Sequence, residues 1–388
     1  MRVLCATTAN DGHFGPLMPF ARALRDAGHD VRVAAPASYG AAVARAGFAH
    51  EPFADAPPEL IGPVMGSLPS LEFEEADEVV IREVFARIDA QAALPGLLEV
   101  VERWQPDLVL RETAELGSLA AAERGGVPHA QVCIGMHEVL PRFAESIGEP
   151  LAELGHLAGL DEDRLGPAMD GETVLSLVPE VLDRASGTEQ GGAGFLRFHE
   201  PTTVADAPHV PVWGDPEVPL VYVTFGSVTG SLPPFAGVFR AALDALADTE
   251  ARVLMTVGRK VDPATLGALP PNARVEQWWP QDAALGEAAA MLGHGGFGTT
   301  MGALAAGVPQ VVVPLFTFDQ IVNGEHVQAV GAGLTVERGP ASVEPAAAQV
   351  RRLLAELEFA VCARQVAAAM ADLPRPADAV PVLTGLAG

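Results

Sequence analysis

Short apolar runs alternate with helically spaced apolar residues along most of the chain. RVLCAT (2–7) reads as a buried strand. Behind it, Leu17, Phe20, Ala21, Leu24 and Ala27 recur on one helix face, Gly28 stops the helix, and DVRVAAP (30–36) is the next strand. Strand, helix and strand with short links make the βαβ unit of a parallel sheet. The pattern returns at PDLVL (106–110), a helix over 114–124, HAQVCI (129–134) and TVLSLV (173–178). Residues 183–216, dense in Pro, Gly and polar side chains, break it and read as a linker and domain boundary. A second series follows with LVYVTF (220–225), a helix over 234–248, RVLMTV (252–257), ARVEQW (273–278), AMLGH (290–294), QVVVP (310–314) and LTV (334–336). Helices over 298–306, 320–330 and 343–370 fill its gaps. Residues 52–90 read as an irregular, proline-rich region. The expected architecture is α/β: two facing Rossmann-like domains with mostly parallel sheets and an interdomain cleft, residues 1–205 and 206–374.

The 388 residues suffice for two sizeable cores, and 49% hydrophobic against 19% charged residues marks a globular chain. The formal charge of -26, from 50 acidic and 24 basic residues, repels phosphate backbones and anionic lipids. Nucleic-acid and membrane-surface binding are therefore not expected, and an anionic substrate needs a local device to hold it. The sole lysine, Lys260, lies in GRKVD, so no P-loop is present. Three scattered cysteines supply neither a disulfide framework nor a zinc site. No run is long enough to span a membrane, and the first residues do not form a signal-peptide core, so a cytoplasmic enzyme is expected.

The strongest local signal is MLGHGGFGTTMGALAAGVPQVVVP. A short strand ends at Gly293-His294, and Gly295, Gly296 and Gly298 permit close backbone approach. Thr299 or Thr300 is expected to cap the following helix. Free backbone N–H groups and the positive end of a helix dipole there make a phosphate cradle without lysine or metal. The bland alternative is a glycine-rich turn with a packing histidine. Upstream, EQWWPQ offers Trp278 as a stacking platform for a base and Gln281 as a partner for ribose. Downstream, Asp319 and Gln320 follow the strand QVVVP and suit the hydroxyls of a polyol. Here the alternatives are a core Trp and an Asp that caps a helix.

WWPQ, HGGFGTT and DQ, in this order, resemble the nucleotide-sugar signature of family 1 glycosyltransferases, two-domain enzymes of the GT-B fold. The resemblance spans essentially the whole chain and is strongest to bacterial members that tailor antibiotics and other natural products, moving deoxysugars onto polyketide-like or enediyne-like aglycones. It implies that Trp278 stacks on the base, Gln281 lies near the ribose, and His294 with the backbone of Gly296, Gly298 and Thr299 meets the diphosphate. It further implies that Ser227, in VTFGSV, lies near the phosphates, that Asp319 and Gln320 hold the sugar, and that residues 375–388 cross back to the first domain. Plant members carry a Glu at the position of Gly302 that binds the ribose 2′-hydroxyl. Its loss here favours a dTDP-linked donor over a UDP-linked one.

DGHFGPLMPF resembles the family's N-terminal GHxxP stretch and places His13 in the loop after the first strand, as the base that takes the acceptor proton. Glu112 is the first choice of orienting carboxylate and Glu115 the second, while Asp11 is expected to face solvent. Phe53, Met65, Phe85, Met136 and His137 are the candidate acceptor contacts. The implied reaction is an inverting hexosyl transfer from a nucleoside diphosphate sugar, with no cofactor and no metal. Asp161-Glu162-Asp163 and EFEEAD (72–77) read as solvated acidic faces. The expected partners are a small-molecule aglycone and the nucleotide-sugar donor, and the expected state a monomer or homodimer. The alternatives are a catalytically inactive nucleotide-sugar-binding partner protein and an epimerase of the same fold. A nicotinamide-dependent oxidoreductase would want GxGxxG after the first strand, which TANDGHFGP does not supply.

Overall fold

The computed structural model describes residues 1–161, 163–183, 194–201, 209–211 and 213–388. Its chain divides into two compact units: residues 1–177, 190–200 and 374–388, and residues 178–189 with 201–373. The boundary expected at 205/206 and most of the linker expected over 183–216 lie outside the described residues.

The first unit is built on seven strands: β1 (Arg2–Ala6), β2 (Asp30–Pro36), β3 (Ala49–Phe53), β4 (Leu108–Glu112), β5 (His129–Val132), β6 (Thr173–Ser176) and β7 (Phe195–Arg197). Their order is β3-β2-β1-β4-β5-β6-β7, every pairing parallel. β1 is central because Val3, Leu4, Cys5 and Ala6 are fully buried, as a strand covered on both faces must be. β3 was not foreseen in the sequence. Its AHEPF carries Pro52, which a sheet tolerates on an edge, where β3 lies.

The helix after β1 runs Asp11–Asp26, six residues earlier than the apolar periodicity beginning at Leu17 implies. Asn10 caps it, its Oδ1 accepting from the N–H of Gly12 at 2.8 Å. His13 therefore sits in the first helical turn, not in a loop. Residues 52–90 are also more regular than expected. Helices Pro58–Ser67 and Phe73–Val79 lead into a π-helical stretch, Val80–Asp89, which continues into helix Ala90–Trp104. The C-terminal stretch belongs to the first unit, with Ala379 and Leu383 packed in the core formed by β1, β2 and helix Asp11–Asp26.

The second unit carries β8 (Leu220–Thr224), β9 (Arg252–Thr256), β10 (Ala273–Glu276), β11 (Ala288–Gly293), β12 (Gln310–Val312) and β13 (Gly333–Thr335). These are again all parallel, in the order β10-β9-β8-β11-β12-β13. Helices Val238–Leu246 and Val343–Ala355 pack on this sheet through Val238, Leu243, Val343, Ala347 and Val350. The helix expected over 343–370 is two, broken at Glu356. In both sheets the strand order reverses beside the first strand, between β1 and β4 and between β8 and β11. That switch, at the carboxyl ends, is where open parallel sheets leave a crevice for ligands. Among the described residues no helix is long and apolar enough to cross a membrane.

Candidate active site

In the first unit the switch point brings together the loop after β1 and the end of β4. Glu112 closes β4 and is fully buried. Its Oε1 lies 3.2 Å from His13 Nδ1 and accepts from the N–H of Thr8 at 3.2 Å, while its Oε2 accepts from the N–H of Ala114 at 2.6 Å. Burial alone would raise this carboxyl; the facing imidazole and the two N–H groups outweigh it and hold Glu112 below the usual carboxylate range. Thr8 Oγ1 lies 3.0 Å from the same His13 nitrogen. An ionised Glu112 at Nδ1 fixes the tautomer with the proton on that atom, which leaves Nε2 as the basic atom of the ring. Glu115, the second choice of orienting carboxylate, turns away. Its oxygens accept from the N–H of Ser118 at 3.0 and 3.3 Å, tying down the start of helix Gly117–Gly125. Burial pushes its carboxyl up to about 7. Asp11 is exposed, as expected, and accepts from the Tyr39 hydroxyl.

The strand end that presents Glu112 is held by Arg111, which no sequence motif marks. Arg111 is fully buried. Its Nη1 donates to the carbonyls of Glu112, Thr113 and Glu115 at 3.3, 3.1 and 3.4 Å, its Nη2 to Gln131 Oε1 at 2.7 Å, and its Nε to Glu172 at 2.9 Å. A guanidinium with fixed, divergent donors suits this better than any other side chain.

A cavity of about 290 Å³ lies between the ends of β1 to β4 and the π-helical stretch; its lining includes Thr8 and Phe85, which touch His13, and Ala114, which touches Glu112. Phe53, Ile61, Phe85, Ala93 and Leu116 give it apolar walls, and Thr8, Asn10 and Asp89 contribute polar groups. The Phe85 ring lies 5.2 Å from that of His13. Of the expected acceptor contacts, Phe53 and Phe85 line this cavity. Met65 stands 43% exposed on helix Pro58–Ser67, His137 packs edge-on against Phe195 at 4.9 Å, and neither lines it. Met136 corrects its expectation outright: it is fully buried and presents no surface to a ligand.

In the second unit the glycine-rich segment joins a strand to a helix. β11 ends at Gly293, and helix Phe297–Ala305 starts after Gly296 without a side-chain cap. Thr299 and Thr300 lie inside the first turn, so neither caps it, and the first-turn N–H groups are left for another acceptor. Gly295 has φ +86°, and a Cβ there would meet Gln320 O and Val312 at 2.7 Å. The loop is pinned from below by Asn323, whose Nδ2 donates to Gly295 O at 2.7 Å. His294 lies between two glycines: a Cβ at Gly226 would come within 2.8 Å of its ring, one at Gly296 within 2.5 Å. Burial lowers the His294 pKa to about 4, so the ring is neutral in the physiological range and carries a single N–H. Among the described residues its buried Nδ1 has no hydrogen-bond partner.

Ser227 is exposed in the loop after β8. Trp278 is 53% exposed, as a platform requires, and the Arg259 guanidinium lies 4.5 Å from its ring centre. Gln281 Nε2 donates to Gly298 O at 3.2 Å and occupies the space that a side chain at Gly302 would need. Asp319 is the second residue of helix Phe318–Ala329 and so is not its cap. Gln320 is buried, its Oε1 accepting from the N–H groups of Leu315 and Phe316 at 2.7 and 3.1 Å, which leaves its amide nitrogen for a ligand. Of the two acidic runs, Glu162 lies outside the described residues, and among the described residues no group of three or more His, Cys, Asp or Glu side chains is placed to hold a metal ion. Asp161, Asp163, Glu72, Glu74 and Glu75 are exposed.

Residues 22–153 match the N-terminal domain model of the erythromycin biosynthesis protein CIII-like family, and residues 240–386 its C-terminal domain model. The L-demethylnoviosyl transferase of Streptomyces niveus is 31% identical, over 97% of this chain and 96% of its own. The glycosyltransferase SnogD of Streptomyces nogalater has a TM-score of 0.77 at 27% identity, covering 100% of this chain and 99% of its own. The glycosyltransferase VinC, solved in complex with dTDP, has a TM-score of 0.75 at 27% identity over the same shares. Matched in both halves and along its full length, the chain belongs to the erythromycin biosynthesis protein CIII-like family and is a GT-B glycosyltransferase of natural-product biosynthesis.

Proposed function

We propose that this enzyme moves a deoxysugar from a dTDP-linked donor to a hydroxyl of an apolar, polyketide-like or enediyne-like acceptor. The transfer is one inverting, metal-independent displacement. The observation that carries the reading is the His13–Glu112 contact of 3.2 Å beside an apolar cavity at the strand ends. In this reading the acceptor lies in that cavity, and His13 Nε2 takes its proton as the oxygen attacks the anomeric carbon. Glu112 keeps the imidazole in the required tautomer and stabilises the imidazolium that forms.

The bond to the nucleoside diphosphate breaks as the new one forms, so one displacement inverts the anomeric centre. Charge builds on the diphosphate, which is received by the N–H groups at the start of helix Phe297–Ala305 and by neutral His294. Trp278 carries the base, with Gln281 and Ser227 near ribose and phosphates, and Asp319 and the Gln320 amide hold the sugar. The dTDP reading rests on Gly302, which lacks the carboxylate that grips a ribose 2′-hydroxyl in plant members; the Gln281 amide lies over the position instead. The dTDP bound in VinC supports it.

The test is turnover with a dTDP-deoxysugar in excess EDTA, followed by NMR of the product's anomeric proton. Undiminished rate and inverted configuration are expected. A strict divalent-cation requirement or retained configuration contradicts the mechanism. Calorimetry should give tighter binding of thymidine diphosphate than of uridine diphosphate; equal affinities remove the Gly302 argument.

A further inference from the structure

The cavity contains a carboxylate to which the proposed reaction assigns no role. Asp89 ends the π-helical stretch, four residues after Phe85, and both line the cavity. The wider turn of a π-helix brings residues at this separation close to one face, and such stretches recur at functional sites. The other carboxylates of the lining are engaged: Asp55 accepts from the N–H of Ser38 at 3.1 Å and from its hydroxyl, and Glu115 from Ser118. Asp89 is half-buried and, among the described residues, makes no hydrogen bond or ion pair. The nearby arginines do not serve it, since Arg82 and Arg87 pair with Glu83, Glu149 and Glu153. The lining contains no arginine or lysine.

A carboxylate held in apolar walls without a donor is costly, and the cost is relieved when a ligand supplies one. We propose that Asp89 is a specificity-determining residue that accepts a hydrogen bond from a second hydroxyl of a neutral acceptor and excludes acceptors bearing a carboxylate. This rests on the assignment of the cavity to the acceptor. Burial raises the Asp89 carboxyl to about 6, with Glu112 and Asp55 adding to the rise and His13 opposing it. Above that pH it is an anion with spare acceptor capacity, which suits a hydroxyl and repels a second negative charge.

The test is calorimetric binding at pH 7, where Asp89 is mostly ionised and the phenols mostly neutral, of three probes on one ring system: 7-hydroxycoumarin, 6,7-dihydroxycoumarin and 7-hydroxycoumarin-3-carboxylic acid. The wild-type protein should bind the dihydroxy probe about tenfold tighter than the monohydroxy one, the scale of one charge-assisted hydrogen bond. The carboxylic acid should bind weakest. Asp89→Ala should bring the three within about threefold of each other. Asp89→Asn keeps an acceptor oxygen without the charge, so it should retain part of the dihydroxy preference and admit the acid. Circular dichroism and thymidine diphosphate binding report on folding of both variants. Equal wild-type binding of the mono- and dihydroxy probes, or an Asp89→Ala variant that keeps the preference, overturns the role of Asp89. If the wild type binds thymidine diphosphate but none of the three probes, the acceptor assignment of the cavity fails, and this inference with it.

Discussion

At the scale of single residues, the donor side depends on what glycines leave out. His294 is held between the backbones of Gly226 and Gly296, and only residues without a Cβ leave room for its ring. Gly226 also has φ +76°, which a substitution would strain, whereas Gly296 has an ordinary φ of −61°. Gly296→Ala therefore presses on the imidazole alone. Overpacking of this kind costs about 1–3 kcal/mol, and it should weaken thymidine diphosphate binding by about tenfold or more while the fold is kept. Calorimetry on the variant checks this; unchanged affinity means that His294 does not meet the diphosphate. The glycines and His294 were legible in the sequence because HGGFGTT follows an apolar strand. The neutrality of His294 was not, because it follows from burial by the loops after β8 and β11 together.

At the scale of elements, the end of β4 sets the geometry of the proposed base. Arg111 binds three carbonyls at and just beyond the end of the strand and reaches Gln131 on β5 and Glu172 beside β6. Breaking such a buried network by Arg111→Leu should cost about 3–5 kcal/mol and leave Glu172 buried without its cation. Chemical denaturation measures it, and a loss below about 1 kcal/mol contradicts a structural role. Glu115 acts on the next helix with a different signature. Its folded-state pKa of about 7 lies above the ordinary 4.5, so the folded state binds its proton more tightly than the unfolded chain. Stability from this group is fully present below 4.5 and is lost as pH rises toward 7. Glu115→Gln keeps an acceptor for Ser118 and removes the titration. Its melting temperature relative to wild type should therefore climb between pH 4.5 and 7 and level off above. A pH-independent difference contradicts the account.

The elements that periodicity read well are the buried strands, whose apolar runs leave no other place for them. It missed β3, a short edge strand carrying Pro52, and the π-helical stretch, whose VIREVFARID differs from an ordinary amphipathic helix only in backbone registry. Asp89 and Arg111 were invisible for the same reason. A lone charge in a sequence reads as surface, and only the packing of neighbouring elements buries it.

At the scale of the whole molecule, the charge of -26 and the single lysine pose one problem, that of binding a dianionic diphosphate. The second unit offers backbone N–H groups and a neutral imidazole, which work without net positive charge. The first unit offers a base oriented by a buried carboxylate. The measurement that tests this division of labour most directly is His13→Ala, assayed for transfer and for thymidine diphosphate binding in the same preparation. Transfer should fall by about a thousandfold or more, on the order of the contribution of a positioned general base, with diphosphate affinity within about twofold of wild type. Transfer close to wild-type rate in that variant would contradict this division of labour.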